Sequence, residues 1–208
     1  MDPRAYYRCS DTTEVVYACQ VPSTPRESAV AQAATEILGT AGPRGLTHRA
    51  VDRAAGLPVG STSNLFRTRA ALLAAVNEHV ARTDAEELRA FAASLGGPVT
   101  AGSVAAGFAK LADRWSSQAS VRSAARLELY LEARRSPQFA ADLAATRSDF
   151  RAGTQELLAG LGCRNPAVHA VGFMALVEGL VENQLLHAAT RVSRNELQEL
   201  IACWLAAC

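Results

Sequence analysis

Lysine is almost missing from this chain: Lys110 is the single lysine among 21 basic residues, and arginine supplies the rest. Aromatic residues are only 6% of the 208 residues and methionine occurs twice. No apolar run approaches the roughly 18 residues that a membrane-spanning helix needs. Runs such as 70–76 and 173–177 are far shorter, so no membrane association is expected. The first 25 residues lack a continuous apolar stretch followed by small residues, which speaks against a secretory signal. No serine elbow, glycine-rich phosphate loop or His-Glu pair at metalloprotease spacing is present, so no enzyme and no catalytic residue is expected. The three glycines within 39–45 fall in a turn between two helices. A net charge of +1 excludes a polyanion-coating tail but leaves room for a local basic patch.

The five cysteines, Cys9, Cys19, Cys163, Cys203 and Cys208, include no closely spaced pair of the zinc-ribbon or redox type. They read as free thiols of a reducing cytoplasm, with a Cys9–Cys19 bridge as the alternative. His48, His79, His169 and His187 are scattered, and no His/Cys/carboxylate group sits at ligand spacing. Neither a metal nor a cofactor is therefore expected.

Alanine, leucine, arginine and glutamate dominate and β-branched residues are sparse, which favours an all-α fold of about nine helices. Helix starts are well marked. Thr24-Pro25-Arg26-Glu27 is a capping box with proline at the first helical position, and Ser193-Arg194-Asn195-Glu196 is another capping box. Ser136-Pro137 and Asn165-Pro166 read as cap-plus-proline starts, while Thr47 and Thr68 read as caps of the second and fourth helices. Gly42-Pro43, Gly56, the 95–98 stretch and the Gly160/Gly162 pair read as stops. Residues 1–23 show no sustained period and are expected to be a mobile extension, followed by a DNA-binding unit over 24–70 and a regulatory and dimerising unit over 71–208.

Thr47 to Phe66 has the layout of a helix-turn-helix. A short helix ends at Ala54-Ala55, Gly56-Leu57-Pro58 makes the turn, and a second helix runs from about Val59 to Phe66. Val51, Ala54, Leu57, Leu65 and Phe66 are expected to form its small core, with Ser61, Ser63, Asn64 and Arg67 facing out. Short polar groups beside arginine suit base edges and phosphates. Between Ala41 and Ala70, Arg44, Arg49, Arg53, Arg67 and Arg69 face a single acid, Asp52, so positive charge is concentrated where a duplex would dock.

The run Gly45-Leu46-Thr47-His48-Arg49-Ala50-Val51, then Ala54-Ala55-Gly56-Leu57, Gly60-Ser61, Phe66-Arg67-Thr68-Arg69 and Leu72-Leu73, resembles the N-terminal domain of the TetR family of bacterial repressors over about residues 26–80. The resemblance implies that Thr47 and His48 lie against phosphate. It implies that Arg49 reaches a base, that Ser61, Ser63 and Asn64 sit on the recognition helix, and that Arg69 holds a phosphate. The chain departs from the pattern at Thr62-Ser63-Asn64-Leu65, where the family has a tyrosine and a histidine that contact the backbone. Base preference is therefore not carried over. The remaining 130 or so residues resemble the family in architecture alone.

In that second part, Phe108, Trp115, Arg126, Tyr130, Phe150 and Phe173 are expected to line a pocket for an unknown small-molecule effector. Phe173, Leu176, Leu180, Leu200, Ile201 and Trp204 on the last two helices are expected to form a homodimer interface. The resulting expectation is a cytoplasmic, ligand-responsive regulator, a repressor that binds a near-palindromic double-stranded DNA operator as a dimer. The alternative is a helical ligand- or protein-binding module that no longer reads DNA.

Overall fold

The computed structural model describes residues 24–94 and 98–208. The 1–23 extension, with Cys9 and Cys19, and the 95–97 part of the expected break lie outside them. Nine α-helices occur among the described residues: α1 (Pro25–Gly45), α2 (His48–Ala54), α3 (Ser61–Leu65), α4 (Arg69–Ser94), α5 (Ala101–Ser116), α6 (Ser120–Ala133), α7 (Pro137–Gly160), α8 (Pro166–Leu186) and α9 (Arg194–Ala206). A single 3-10 turn, Ala188–Thr190, joins α8 to α9.

The caps form where the side chains permit. Thr24 Oγ1 accepts from the Glu27 amide at 3.2 Å and the Glu27 carboxylate accepts from the Thr24 amide at 2.8 Å. Ser193 and Glu196 repeat that reciprocal arrangement, and Thr100 with Ser103 adds a third box that the sequence did not announce, because serine stands where glutamate is usual. Thr47 and Thr68 accept from the amides of Ala50 and Ala71. Asn165 departs from expectation: α8 starts on Pro166, but the Asn165 side chain makes no capping bond. Gly42 takes φ 67° and ψ −173°, which breaks the helical path of α1 where Gly42-Pro43 was expected to stop it.

Two apolar clusters hold the helices. The first gathers Val30, Ala34 and Leu38 of α1, Val51 of α2, Leu72, Leu73, Val76 and Val80 of α4, Ala125 and Leu129 of α6, and Phe139 of α7. It thus joins residues on both sides of position 70. The second gathers α5, α7, α8 and α9 around Phe108, Trp115, Leu158, Phe173, Val177, Leu197 and Ile201. Phe108 and Phe173 meet edge-to-face at 4.9 Å, a geometry that adds about 0.5–1.5 kcal/mol to their burial. The approach of α1 to α6 depends on Gly39: a Cβ there would lie 2.1 Å from the Val121 carbonyl oxygen. No bulkier residue lets these two backbones come so close.

Candidate nucleic-acid interface and ligand cleft

The turn between α2 and α3 needs glycine twice, at Gly56 with φ 65° and Gly60 with φ 92°. Gly60 is the N-cap of α3 and has no side chain to cap it. Asp52 does so from α2: its Oδ2 accepts from the Gly60 amide at 2.8 Å and its Oδ1 from the Thr62 amide at 2.7 Å. Asp52 is 2% exposed. The adjoining Thr62 side chain and these two amides hold its carboxyl below the usual carboxylate range, against the opposing effect of burial. In the sequence Asp52 is only the lone acid of a basic stretch. In the fold it sets the pose of the recognition helix.

The structure revises several surface positions. Ser61 is buried, with its hydroxyl accepting from Arg26 Nη2 at 2.7 Å, because the first turn of α3 faces α1. It is withdrawn from the DNA-facing set. Val59 is 81% exposed and precedes α3, which starts two residues later than expected. Ala54 is exposed and leaves the expected core. His48 is half-buried and its Nε2 lies 2.7 Å from the Phe66 carbonyl oxygen. A carbonyl only accepts, so Nε2 carries the proton and the ring ties α2 to the end of α3; this nitrogen is not available to phosphate. Ser63 is half-buried and donates to the Gly60 carbonyl at 3.0 Å, leaving its lone pairs to accept.

Thr47, Arg49, Asn64, Arg67 and Arg69 are exposed, together with Arg44 and Arg53. One Arg69 nitrogen donates to the Leu46 carbonyl at 3.1 Å, which steadies the guanidinium while its other donors face out. A short helix carrying an exposed amide, with Arg67 just past its end, thus lies in a segment whose other arginines are also exposed.

The expected pocket residues separate. Phe108 and Phe173 are packed in the second core. The Trp115 indole donates to Glu87 of α4, and its ring lies under Arg126 at 5.5 Å. Phe150 is half-buried on α7 and is not among the residues that line the cleft. Arg126 and Tyr130 do meet, in a cleft between α6 and α8 that Glu178, Glu182 and Leu185 complete. The cleft encloses about 10 Å³, room for one water. It is closed by charge. Arg147 Nη1 donates to Glu178 at 2.7 Å and to the Tyr130 hydroxyl at 3.0 Å, and Tyr130 donates to Glu178 at 3.2 Å. Burial, with the Glu178 charge beside it, pushes the Tyr130 hydroxyl up to about 12. Burial and the same charge raise the Glu182 carboxyl. On the other side Arg126 and Arg122 pair with Asp84 of α4, and Arg122 also reaches Glu87 at 2.7 Å. Sequence reasoning missed Asp84, Arg147 and Glu178 because each lies on a different helix from its partner.

Two residues of the expected dimer interface are also revised. Phe173 and Ile201 are 1% and 0% exposed and belong to the monomer core. Leu176, Leu180 and Trp204 are half-buried against that core, and only Leu200, 46% exposed, stands out. Phe173 and Ile201 point inward because they fill the second core. The face left over on α8 carries Val168, Val171, Ala175, Gly179 and Leu186, and α9 adds Leu200 and Cys203.

No cluster at ligand spacing was visible in the sequence, yet the fold builds one. Cys163, His169 and Cys208 place one sulfur, nitrogen or sulfur atom each within 4.8 Å of one another.

A family model described as tetracyclin repressor-like, C-terminal domain, matches residues 99–207. The half expected to match in architecture alone is therefore the half that matches in sequence pattern. No curated protein matches the chain. Among solved structures, a transcriptional regulator from Rhodococcus sp. Rha1 is similar at 20% identity and TM-score 0.72, over 88% of this chain and 95% of that one. A TetR family member from Streptomyces coelicolor A3 is similar at 24% identity and TM-score 0.68, over 87% and 98%. The multidrug binding protein EbrR, complexed with ethidium, is similar at 26% identity and TM-score 0.66, over 86% and 98%. No helix among the described residues is long and apolar enough to cross a membrane.

Proposed function

The chain belongs to the TetR family of transcriptional regulators, and on that premise we propose that it is a cytoplasmic repressor that binds a near-palindromic operator as a homodimer and leaves it when a small molecule enters the α6–α8 cleft. The observation that carries the reading is the Asp52-capped helix α3, with Asn64 and Arg67 exposed and Arg44, Arg49, Arg53 and Arg69 exposed in the segments that flank it in sequence. Arginine is suited to bidentate contact with guanine and to phosphate, and the amide of asparagine to adenine. Two such helices in a dimer enter successive major grooves about 34–36 Å apart. The uncovered α8–α9 face supports the dimer.

The effector we favour is an aromatic cation. Glu178 and Glu182 repel one another across one helical turn, Tyr130 offers a ring, and EbrR binds ethidium. A cation relieves the repulsion that raises the Glu182 carboxyl. Opening the cleft moves α6, which grips α4 through Arg122 and Arg126 and presses on α1 at Gly39. The coupling between effector and DNA is expected to be about 1–3 kcal/mol and reciprocal.

The test is fluorescence anisotropy with a duplex of the gene's upstream intergenic region. Arg49→Ala is expected to cost about 1–3 kcal/mol and to relax sequence preference, and Arg69→Ala to weaken all duplexes and lower the salt slope by about one. Ethidium, assayed below its own duplex-binding range, is expected to release the wild-type protein. Affinity unchanged in both variants at moderate salt would defeat the DNA reading. Release that persists in a Glu182→Gln, Glu178→Gln double variant would defeat the cleft as the effector site.

A further inference from the structure

We propose that Cys163, His169 and Cys208 form a binding site for a thiophilic d10 cation, Zn(II) or Cu(I), separate from both the DNA surface and the α6–α8 cleft. The three residues come from three segments: the turn after α7, the second turn of α8, and the chain just past α9. Cys163 Sγ lies 3.1 Å from His169 Nδ1, and Cys208 Sγ lies 2.9 Å from the same nitrogen. One imidazole nitrogen has one lone pair or one proton, so it answers only one of the two thiols, and the other is left to a weak hydrogen bond between Cys163 and Cys208. A metal between the three atoms satisfies all of them.

The donor set selects the metal. Two thiols and an imidazole are soft and borderline ligands, suited to Zn(II) and Cu(I) and poor for Mg(II) or Ca(II). Metal–ligand bonds of about 2.3 Å to sulfur and 2.0 Å to nitrogen put N and S roughly 3.5 Å apart around a tetrahedral ion. The two nitrogen–sulfur distances, 3.1 and 2.9 Å, therefore need to lengthen by only about half an ångström to admit it. Three protein ligands leave a position for water or another donor. The surroundings favour order: the Trp204 ring packs edge-on to His169 at 6.1 Å and against Phe173 at 5.4 Å. A Cβ at Gly172 would lie 3.1 Å from that indole, so the tryptophan is closely held above α8. Bound metal pins the end of α9 to the start of α8, the two helices that carry the uncovered apolar face.

The experiment uses reduced full-length protein. Zn(II) is titrated against a chromophoric chelator, Cu(I) is titrated anaerobically against a Cu(I)-specific one, and Co(II) serves as a visible probe. The expected result is one equivalent of metal, tetrahedral Co(II) bands with thiolate charge transfer, a change in Trp204 emission and a higher thermal midpoint on loading. Cys163→Ser, Cys208→Ser and His169→Ala each lose the stoichiometric site, whereas Cys203→Ser and the Cys9→Ser, Cys19→Ser double variant keep it. In the wild-type protein, independent of any variant's folding, metal protects Cys163 and Cys208 from alkylation and leaves the exposed Cys203 as reactive as before. Tighter binding of Zn(II) or of Cu(I) identifies which ion the site takes. Failure of both ions to bind, binding that follows Cys9 and Cys19, or equal alkylation with and without metal overturns the proposal.

Discussion

Replacing Asp52 with alanine removes the two acceptors that cap α3 and nothing else from the DNA surface. Both amide bonds are short, at 2.8 and 2.7 Å, and both end on a carboxylate that is 2% exposed. A hydrogen bond to a charged group is worth about 1.5–3 kcal/mol, so the low end for two is about 3 kcal/mol. Five residues cannot hold a helix by themselves, so little of this is recovered locally. If α3 must be ordered to bind DNA, about 3 kcal/mol corresponds to a loss of about two decades in duplex affinity. Amide hydrogen exchange over 60–66 is expected to accelerate by a similar factor, with exchange in the α5–α9 core unchanged. The pH dependence follows from the direction of the shift. A carboxyl held below its unfolded value stabilises the fold above that unfolded value, and the contribution fades as pH falls through the folded one. The acid limb of wild-type stability is thus expected to be steeper than that of Asp52→Ala, and the two proteins to converge at low pH. An Asp52→Ala protein with wild-type exchange over 60–66 and stability within about 0.5 kcal/mol of wild type, the range of an ordinary surface change, would refute the capping role.

Gly39→Ala places a methyl carbon 2.1 Å from the Val121 carbonyl oxygen, and neither backbone can rotate away. Separating α1 from α6 is expected to cost about 1–3 kcal/mol in urea unfolding and to weaken effector-induced release more than duplex binding itself. Val171→Glu combined with Leu200→Glu puts charge on residues that are 53% and 46% exposed. The monomer fold is expected to keep its circular dichroism, while sedimentation shifts from dimer to monomer and duplex affinity drops; a variant that still sediments as a dimer places the interface elsewhere.

What the sequence revealed was local. Capping boxes, proline at the first helical position and glycine stops involve neighbours three or four residues apart, and these placed most helix starts. The family resemblance located the helix-turn-helix for the same reason, since its signature lies in one contiguous run. Direction was harder to read. Ser61 is expected outside as a short polar group, and Phe173 and Ile201 at an interface from the broad apolar faces of the last two helices, yet each is turned inward, Ser61 toward α1 and the other two into the second core. Partnerships across large separations were invisible. Asp52 with Gly60 sits across a turn, Arg126 with Asp84 and Arg147 with Glu178 join different helices, and Cys208 meets His169 from 39 residues away. A charge or thiol carries no periodic signal that names its partner, so only the fold assembles them.

The closed cleft bears on how such a regulator responds. Space for one water means that an effector must create most of its own site, and the work required is set by the contacts it breaks. Arg147 to Glu178 and Tyr130 joins α7 to α8 and α6, so an effector that takes the Glu178 carboxylate for itself loosens three helices together. Leaving the Glu178 carboxylate without a partner costs more than exchanging one cation for another, although its partial exposure moderates that cost. The proposed cationic effector would make that exchange: Glu178 would give up the Arg147 guanidinium and gain the ligand. Arg147 is 40% exposed in its side chain and can turn to water. Arg126, at 15%, cannot, and Asp84 holds it charged against the effect of burial. On the proposed reading, the movement is expected to be led through the α7–α8 side, while the Arg126–Asp84 pair keeps α6 attached to α4 and passes the displacement toward α1. A ligand can shift the balance only by its preference for the opened arrangement. Glu182, already strained by its neighbour's charge, supplies part of that preference before any new contact is counted.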